Sequence, residues 1–314
     1  MKIQFKKSRG IALVLVLWVL VVLIVTAFSF AFTTRTETNS TLAFKNSIEE
    51  KFCSEAGIER GVMELFYRRQ NLNVEGLETW RANGTLYKGT LGDCTYEVRI
   101  TDESGKVDIN TMPDIILKNL LLTLGFGAEE ANSITDSVMD WKDADDLVRL
   151  NGAESSYYMS LSNPYKAKNA DFETLEELSL VKGLTAQVLN GSGERKGIMG
   201  FLTVHSRSSM VNINAAPKEV IMAIPGMSLS VADALVNYRS AKEIQNINEV
   251  QTLLGEAYPM VALYAQGGAG DIFTITSTGV RKDGKTGYTT SATVVLKDNK
   301  HRFVYYKSPA QATQ

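Results

Sequence analysis

Five carboxylates crowd one short stretch of the chain: Asp140, Asp143, Asp145, Asp146 and Glu154. Just before them Ala131, Ile134, Val138 and Trp141 recur at helical spacing, so the acids gather in a loop that follows a helix. Hard oxygen ligands in this arrangement suit Ca²⁺, which takes roughly six to eight oxygens in flexible geometry. The spacing is not that of an EF-hand loop, and the plain alternative is a solvated acidic turn. Other chemistry is sparse. His205 and His301 are the only histidines, one in a linker-like stretch and one in the final hairpin turn. A Ser-His-Asp or Cys-His site would have to form around one of them, both read as surface residues, and no enzyme is expected. Gly267-Gly268-Ala269-Gly270 precedes a strand rather than a helix and reads as a linker, not a phosphate loop. Cys53 and Cys94 are too few for a disulfide framework; one disulfide or two thiols remain open.

A second motif could meet a phosphate. Pro217 to Tyr238 contains two helical patterns around Ile224-Pro225-Gly226-Met227-Ser228, which resembles a helix-hairpin-helix unit. DNA-binding hairpins of this kind carry Gly-x-Gly, so that bare backbone amides reach a phosphate at a helix N-terminus. Here Ser228 stands at the second glycine, and Lys218 and Arg239 are offset by Glu219 and Asp233. With 33 basic and 35 acidic side chains the formal net charge is −2, so no global field draws polyanions and no nucleic acid partner is expected. A packing role is favoured, and a membrane-anchored helix-hairpin-helix DNA receptor is the rival reading.

The elements that hold these groups begin with Ile11 to Phe32, 22 residues without charge and with only Thr26 and Ser29 as polar interruptions. As a helix this spans about 33 Å, enough for a bilayer core. Lys2, Lys6, Lys7 and Arg9 precede it with no acid, which keeps the N-terminus cytoplasmic and the body outside. No proline occurs before Pro113, and Ile48, Phe52, Ala56, Met63 and Phe66 recur on one helical face, so a single helix is predicted to about Gln70. Alternation predicts strands at Asp93 to Thr101, Ile272 to Val280, Tyr288 to Leu296 and Arg302 to Tyr306, forming one antiparallel sheet against that helix. Between them lies a helical insertion with an internal repeat: Val107-Asp108-Ile109-Asn110-Thr111-Met112-Pro113 is echoed by Val211-Asn212-Ile213-Asn214-Ala215-Ala216-Pro217. The asparagines read as helix-start residues, and two similar helical lobes are expected.

The basic leader Lys6-Lys7-Ser8-Arg9-Gly10 and the apolar helix resemble a type IV prepilin or pseudopilin. The resemblance implies that a prepilin peptidase cuts between Gly10 and Ile11 and methylates Ile11. Most members carry glutamate at the fifth mature position; here it is Leu15, and a subunit without that carboxylate needs no subunit ahead of it. That departure fits a filament tip, the place of the pseudopilin K class of type II secretion systems. Val138-Met139-Asp140-Trp141-Lys142-Asp143-Ala144-Asp145-Asp146, Gly152-Ala153-Glu154, Tyr157-Tyr158 and Leu175-Glu176-Glu177-Leu178 are similar to the insertion of that family. It implies a structural Ca²⁺ held by some of Asp143, Asp145, Asp146 and Glu154. The expected fold class is α+β and type IV pilin-like, with a helix-hairpin-helix or SAM-like unit in the insertion. Expected boundaries are a leader at 1–10, the helix at 11–70, a β domain at 71–104 and 269–308, an inserted helical domain at 105–268 and a tail at 309–314. Expected partners are other minor pseudopilins, the major pseudopilin, prepilin peptidase and the inner membrane. The expected role is a minor pseudopilin that caps a periplasmic pseudopilus and helps initiate it.

Overall fold

In a computed structural model, residues 9–71, 79–281 and 286–310 are described. One helix, α1 (Arg9–Gln70), runs for 62 residues, about 90 Å. It contains no proline, and its apolar part leaves Leu13, Leu17, Leu20 and Phe28 exposed, uncovered by any other element among the described residues. Within this stretch the Thr26 hydroxyl donates to the Leu23 carbonyl at 2.9 Å, so it brings no unsatisfied polar group into an apolar medium. Among the described residues α1 is the one helix long and apolar enough to cross a membrane.

Five antiparallel strands follow in spatial order: β1 (Asn83–Leu91), β2 (Cys94–Asp102), β3 (Ile272–Val280), β4 (Thr286–Lys297) and β5 (Lys300–Lys307). Alternation buries Tyr96, Val98 and Ile100 of β2 and Phe273 and Ile275 of β3 against Ile58, Val62 and Leu65 of α1. Gly57 allows this close approach, because a Cβ there would stand 2.0 Å from Ser277 Oγ. A disulfide joins Cys53 of α1 to Cys94 at the start of β2. Closing that 41-residue separation stabilises the fold by roughly 3–4 kcal/mol on the chain-entropy account. Strand β1 was not anticipated. Asn-Gly-Thr-Leu-Tyr-Lys-Gly-Thr-Leu has two glycines and no clean alternation, because an edge strand has only one neighbour and little to bury.

The neighbours β2 and β3 are separated in sequence by the whole insertion. Asp102 pairs with Phe273 where the chain leaves and re-enters the sheet. At that end Arg68 meets Glu243 at 2.5 Å and Arg69 meets Asp271 at 2.9 Å. Because Cys53 lies beside the opposite end of β2, the insertion stands beyond the last turn of α1, at the end away from the apolar segment.

Inside the insertion both copies of the repeat start with a two-residue strand. Val107–Asp108 pairs in parallel with Leu202–Thr203, and Val211–Asn212 pairs in parallel with Ala265–Gln266. Each copy continues into two helices joined by a glycine turn: α2 (Asp114–Thr123) and α3 (Ala128–Lys142) in the first, α4 (Lys218–Ala223) and α5 (Leu229–Ala241) in the second. Two expectations are corrected. The copies are not separate lobes, since one continuous buried cluster runs from Val107 through Leu120, Ile134 and Tyr158 to Ile221, Leu235 and Ala265. Nor do the asparagines cap helices. Pro113 and Pro217 occupy the cap positions, while Asn110 and Asn214 clamp distant backbone.

Candidate cation site

The first clamp fixes where the acidic loop can go. Asn110 Nδ2 donates to the Phe172 carbonyl at 2.9 Å and its Oδ1 accepts from the Phe172 amide at 2.8 Å. Lys142, at the end of α3, donates to the carbonyls of Ile109 and Asn110. The residues between Lys142 and Phe172 therefore form an excursion whose two ends are held together.

Carboxylates from α3 and from the excursion itself bind the excursion's backbone. Asp136 Oδ2 accepts from the Asn151 amide at 3.1 Å, Asp140 from the Arg149 amide at 3.2 Å, and Asp145 Oδ1 from the Leu147 amide at 2.9 Å. The Arg149 guanidinium folds back between Asp140, 3.3 Å away, and Asp143, 3.6 Å away. Gly152 lets the loop pass close to Asp140: a Cβ would lie 1.9 Å from Asp140 Oδ2.

One oxygen each from Asp143, Asp145 and Glu154 lie within 4.8 Å of one another. Glu154 is 2% exposed, and neither of its carboxylate oxygens has a hydrogen-bond partner within the protein. Asp143 Oδ1 is likewise buried and unpartnered. Leaving buried acceptors unmatched costs about 1–3 kcal/mol each, more for charged groups, so unpartnered oxygens on two of the three clustered carboxylates make a donor set that fits a hard cation. Burial, and then the charges of Asp140, Asp143 and Asp146, push Glu154 up to about 7. Asp143 is raised by burial and then by Asp145; Asp140 is raised mainly by burial. A divalent ion would reverse all three effects at once.

Of the four expected ligands, Asp143, Asp145 and Glu154 are brought together. Asp146 is outside that cluster, with Oδ1 3.4 Å from Asn169 Nδ2, and acts on Glu154 through its charge. Sequence reasoning missed Gly152, Arg149 and Asp136. Neither the Asp136 carboxylate's bond to the Asn151 amide nor the Arg149 guanidinium's place between Asp140 and Asp143 had a local signal, whereas a glycine directly before Ala153-Glu154 was a readable sign of close approach. Leu15 faces outward in the apolar part of α1. Gly10 and Ile11 lie in the first turn of α1 and their side chains are outside the described residues, as are residues 1–8.

The motif that could have met DNA is spent on packing. Ser228 caps α5 by accepting from the Val231 amide, Lys218 pairs with Asp233 at 2.5 Å, and Arg239 is turned inward onto the carbonyls of Ile213 and Ala216. A Gly-x-Gly turn does exist, Gly125-Phe126-Gly127 in the first copy, but Glu129 and Glu130 occupy the turn of α3 that would face a phosphate. The DNA-receptor reading is not supported. His205 lies near the ring of Tyr305 and His301 near those of Phe66 and Phe303.

Comparison with known proteins gives a consistent result. Residues 72–191 and 211–259, together more than half of the chain, match two profiles described as type II secretion system protein K. The type II secretion system protein K of Pseudomonas aeruginosa is 29% identical over 171 residues, 50% of this chain and 49% of that protein. That of Pectobacterium carotovorum is 30% identical over 132 residues, 40% of this chain and 39% of the relative. The matched part thus spans about half the length of these relatives or less. Among solved structures, a chain of the GspK-GspI-GspJ complex from the enterotoxigenic Escherichia coli type 2 secretion system superposes with a TM-score of 0.66. It is 16% identical and covered in full, while 88% of this chain is matched, which is a likeness of fold.

Proposed function

The chain belongs to the type II secretion system protein K family, and from that premise we propose that it is a minor pseudopilin that caps a periplasmic pseudopilus and helps to start its assembly. In this role it serves export of folded proteins across the outer membrane. The observation that carries the reading is the position of the insertion. It stands beyond the last turn of α1, opposite the apolar end that enters the membrane. A mass of packed helices there obstructs the addition of a further subunit, while the exposed flank of α1 stays open to subunits alongside and below.

The apolar segment packs among partner helices in the inner membrane, with the body on the periplasmic side, where the Cys53–Cys94 disulfide is stable. Leu15 in place of the glutamate common in the wider pseudopilin class removes the need for a subunit ahead. Prepilin peptidase cuts after Gly10 and methylates Ile11, an expectation checked by mass spectrometry of the mature N-terminus. Ca²⁺ is held by Asp143, Asp145 and Glu154, where it neutralises carboxylates that otherwise repel one another. The unpartnered oxygens of Glu154 support that assignment.

Isolation of the tagged full-length chain from detergent-solubilised membranes tests the proposal. Other minor pseudopilins and the major pseudopilin are expected to accompany it; a chain that brings down no pseudopilin refutes the role. Leu15→Glu is expected to impair secretion, and unchanged secretion would remove the argument from that position.

A further inference from the structure

A groove of about 590 Å³ lies outside the cation site, between the periplasmic part of α1 and the turn that joins β1 to β2. Phe52 on α1 and Leu91 on β1 both line it, 63% and 65% exposed, together with Cys53 and Cys94 of the disulfide. The disulfide ties both walls covalently, so the groove keeps its width without an occupant. Large apolar side chains left this exposed on both walls of a preformed cleft mark a docking surface. Among the described residues its rim carries Glu49, Glu50 and Asp93 and one cation, Arg281, which is engaged with Glu50 at 3.6 Å.

The position of the groove says what reaches it. Phe52 is twenty residues beyond Phe32, the end of the apolar stretch, on the same unbroken helix, hence about 30 Å above the membrane. A neighbour anchored in the same membrane by a similar helix must run alongside α1 at that height. We propose that the groove receives the periplasmic helix of a neighbouring pseudopilin, which inserts an apolar side chain between Phe52 and Leu91 and sets a lysine or arginine against Glu49 and Asp93. This assignment rests on the reading of the chain as a pseudopilin and names the surface it uses.

The test is photo-crosslinking in the full-length chain, in membranes that contain the whole secretion system. A photoreactive phenylalanine analogue replaces Phe52 in one version, Leu91 in a second and Leu263, exposed in the insertion, in a third. Probes at 52 and 91 are expected to capture the stretch just beyond the membrane span of another pseudopilin, and the probe at 263 is not. Capture of a second copy of this chain, of a partner's globular head, or of nothing overturns the inference. In parallel, Phe52→Asp combined with Leu91→Asp is expected to lower coisolated pseudopilin at least tenfold, and Glu49→Gln with Asp93→Asn severalfold with a weaker salt dependence. Wild-type chain that coisolates pseudopilins while the probes at 52 and 91 fail refutes the groove alone. Wild-type chain that coisolates none refutes the pseudopilin reading itself.

Discussion

The two copies of the repeat in the insertion use one frame for different ends. Asn110 clamps Phe172 across 62 residues of sequence, while Asn214 clamps Ile244 across 30, with the same pair of hydrogen bonds. Lys142 seals the first clamp from the end of α3, and Arg239 in α5 does the equivalent for the second. Beyond each clamp a capping box follows, Thr174 with Glu177 and Asn246 with Glu249, and a lysine, Lys168 or Lys242, reaches the same glutamate. The difference lies in what each clamp closes. The second bridges a short turn, whereas the first encloses the acidic excursion. A frame that closes without the excursion does not need it for folding; what the excursion adds is the group of Asp143, Asp145 and Glu154 that could hold a metal ion.

The comparison can be broken in graded ways. The largest effect is expected from the core that both copies share: Leu120→Ala should cost about 2–5 kcal/mol. Denaturant unfolding of the body should remain a single transition, and two separated transitions would mean the copies fold independently. Next is pH. Glu154 has its folded pKa raised to about 7, above the ordinary value of 4.5, so the folded state binds the extra proton. Its burial is harmless below about pH 4.5, and stability falls as pH rises from there to about 7. The loss is on the order of 3 kcal/mol without divalent cation. Glu154→Gln should flatten that slope, and Ca²⁺ should offset it in the wild type only; an unchanged pH profile in the variant would contradict the site. Smaller again, Asn110→Ala should cost about 2 kcal/mol through its two lost hydrogen bonds, and Asn214→Ala about 2–3 kcal/mol, since it also loses the one to the Gly268 carbonyl. A large inequality between them would end the equivalence of the clamps. Least is Asp233→Ala, which breaks an exposed pair with Lys218 and should move stability by less than about 1 kcal/mol.

These contrasts also mark how far the sequence could be read. The long helix was legible because an unbroken apolar run, helical spacing and the lack of proline all act locally. Strands β2 to β5 were legible because alternation records one buried face. Edge strand β1 buries too little to leave such a record. Asn110 and Asn214 stood out as repeated residues, yet their partners lie tens of residues away, so local spacing suggested helix caps instead. The acids between Asp140 and Glu154 announced cation chemistry by type. Which of them meet depends on Arg149 and Asn169 turning Asp140 and Asp146 to other partners, a three-dimensional outcome with no periodic signal. The repeat was visible, but the single core beneath it depends on contacts such as α2 against α4, which no local pattern carries.

The most direct test of the capping role is the position of the insertion on an assembled filament. Pseudopili carrying a gold-labelled tag at the C-terminal end of this chain, viewed by electron microscopy, should show one label per filament at one end. Labels distributed along the filament shaft would contradict the account.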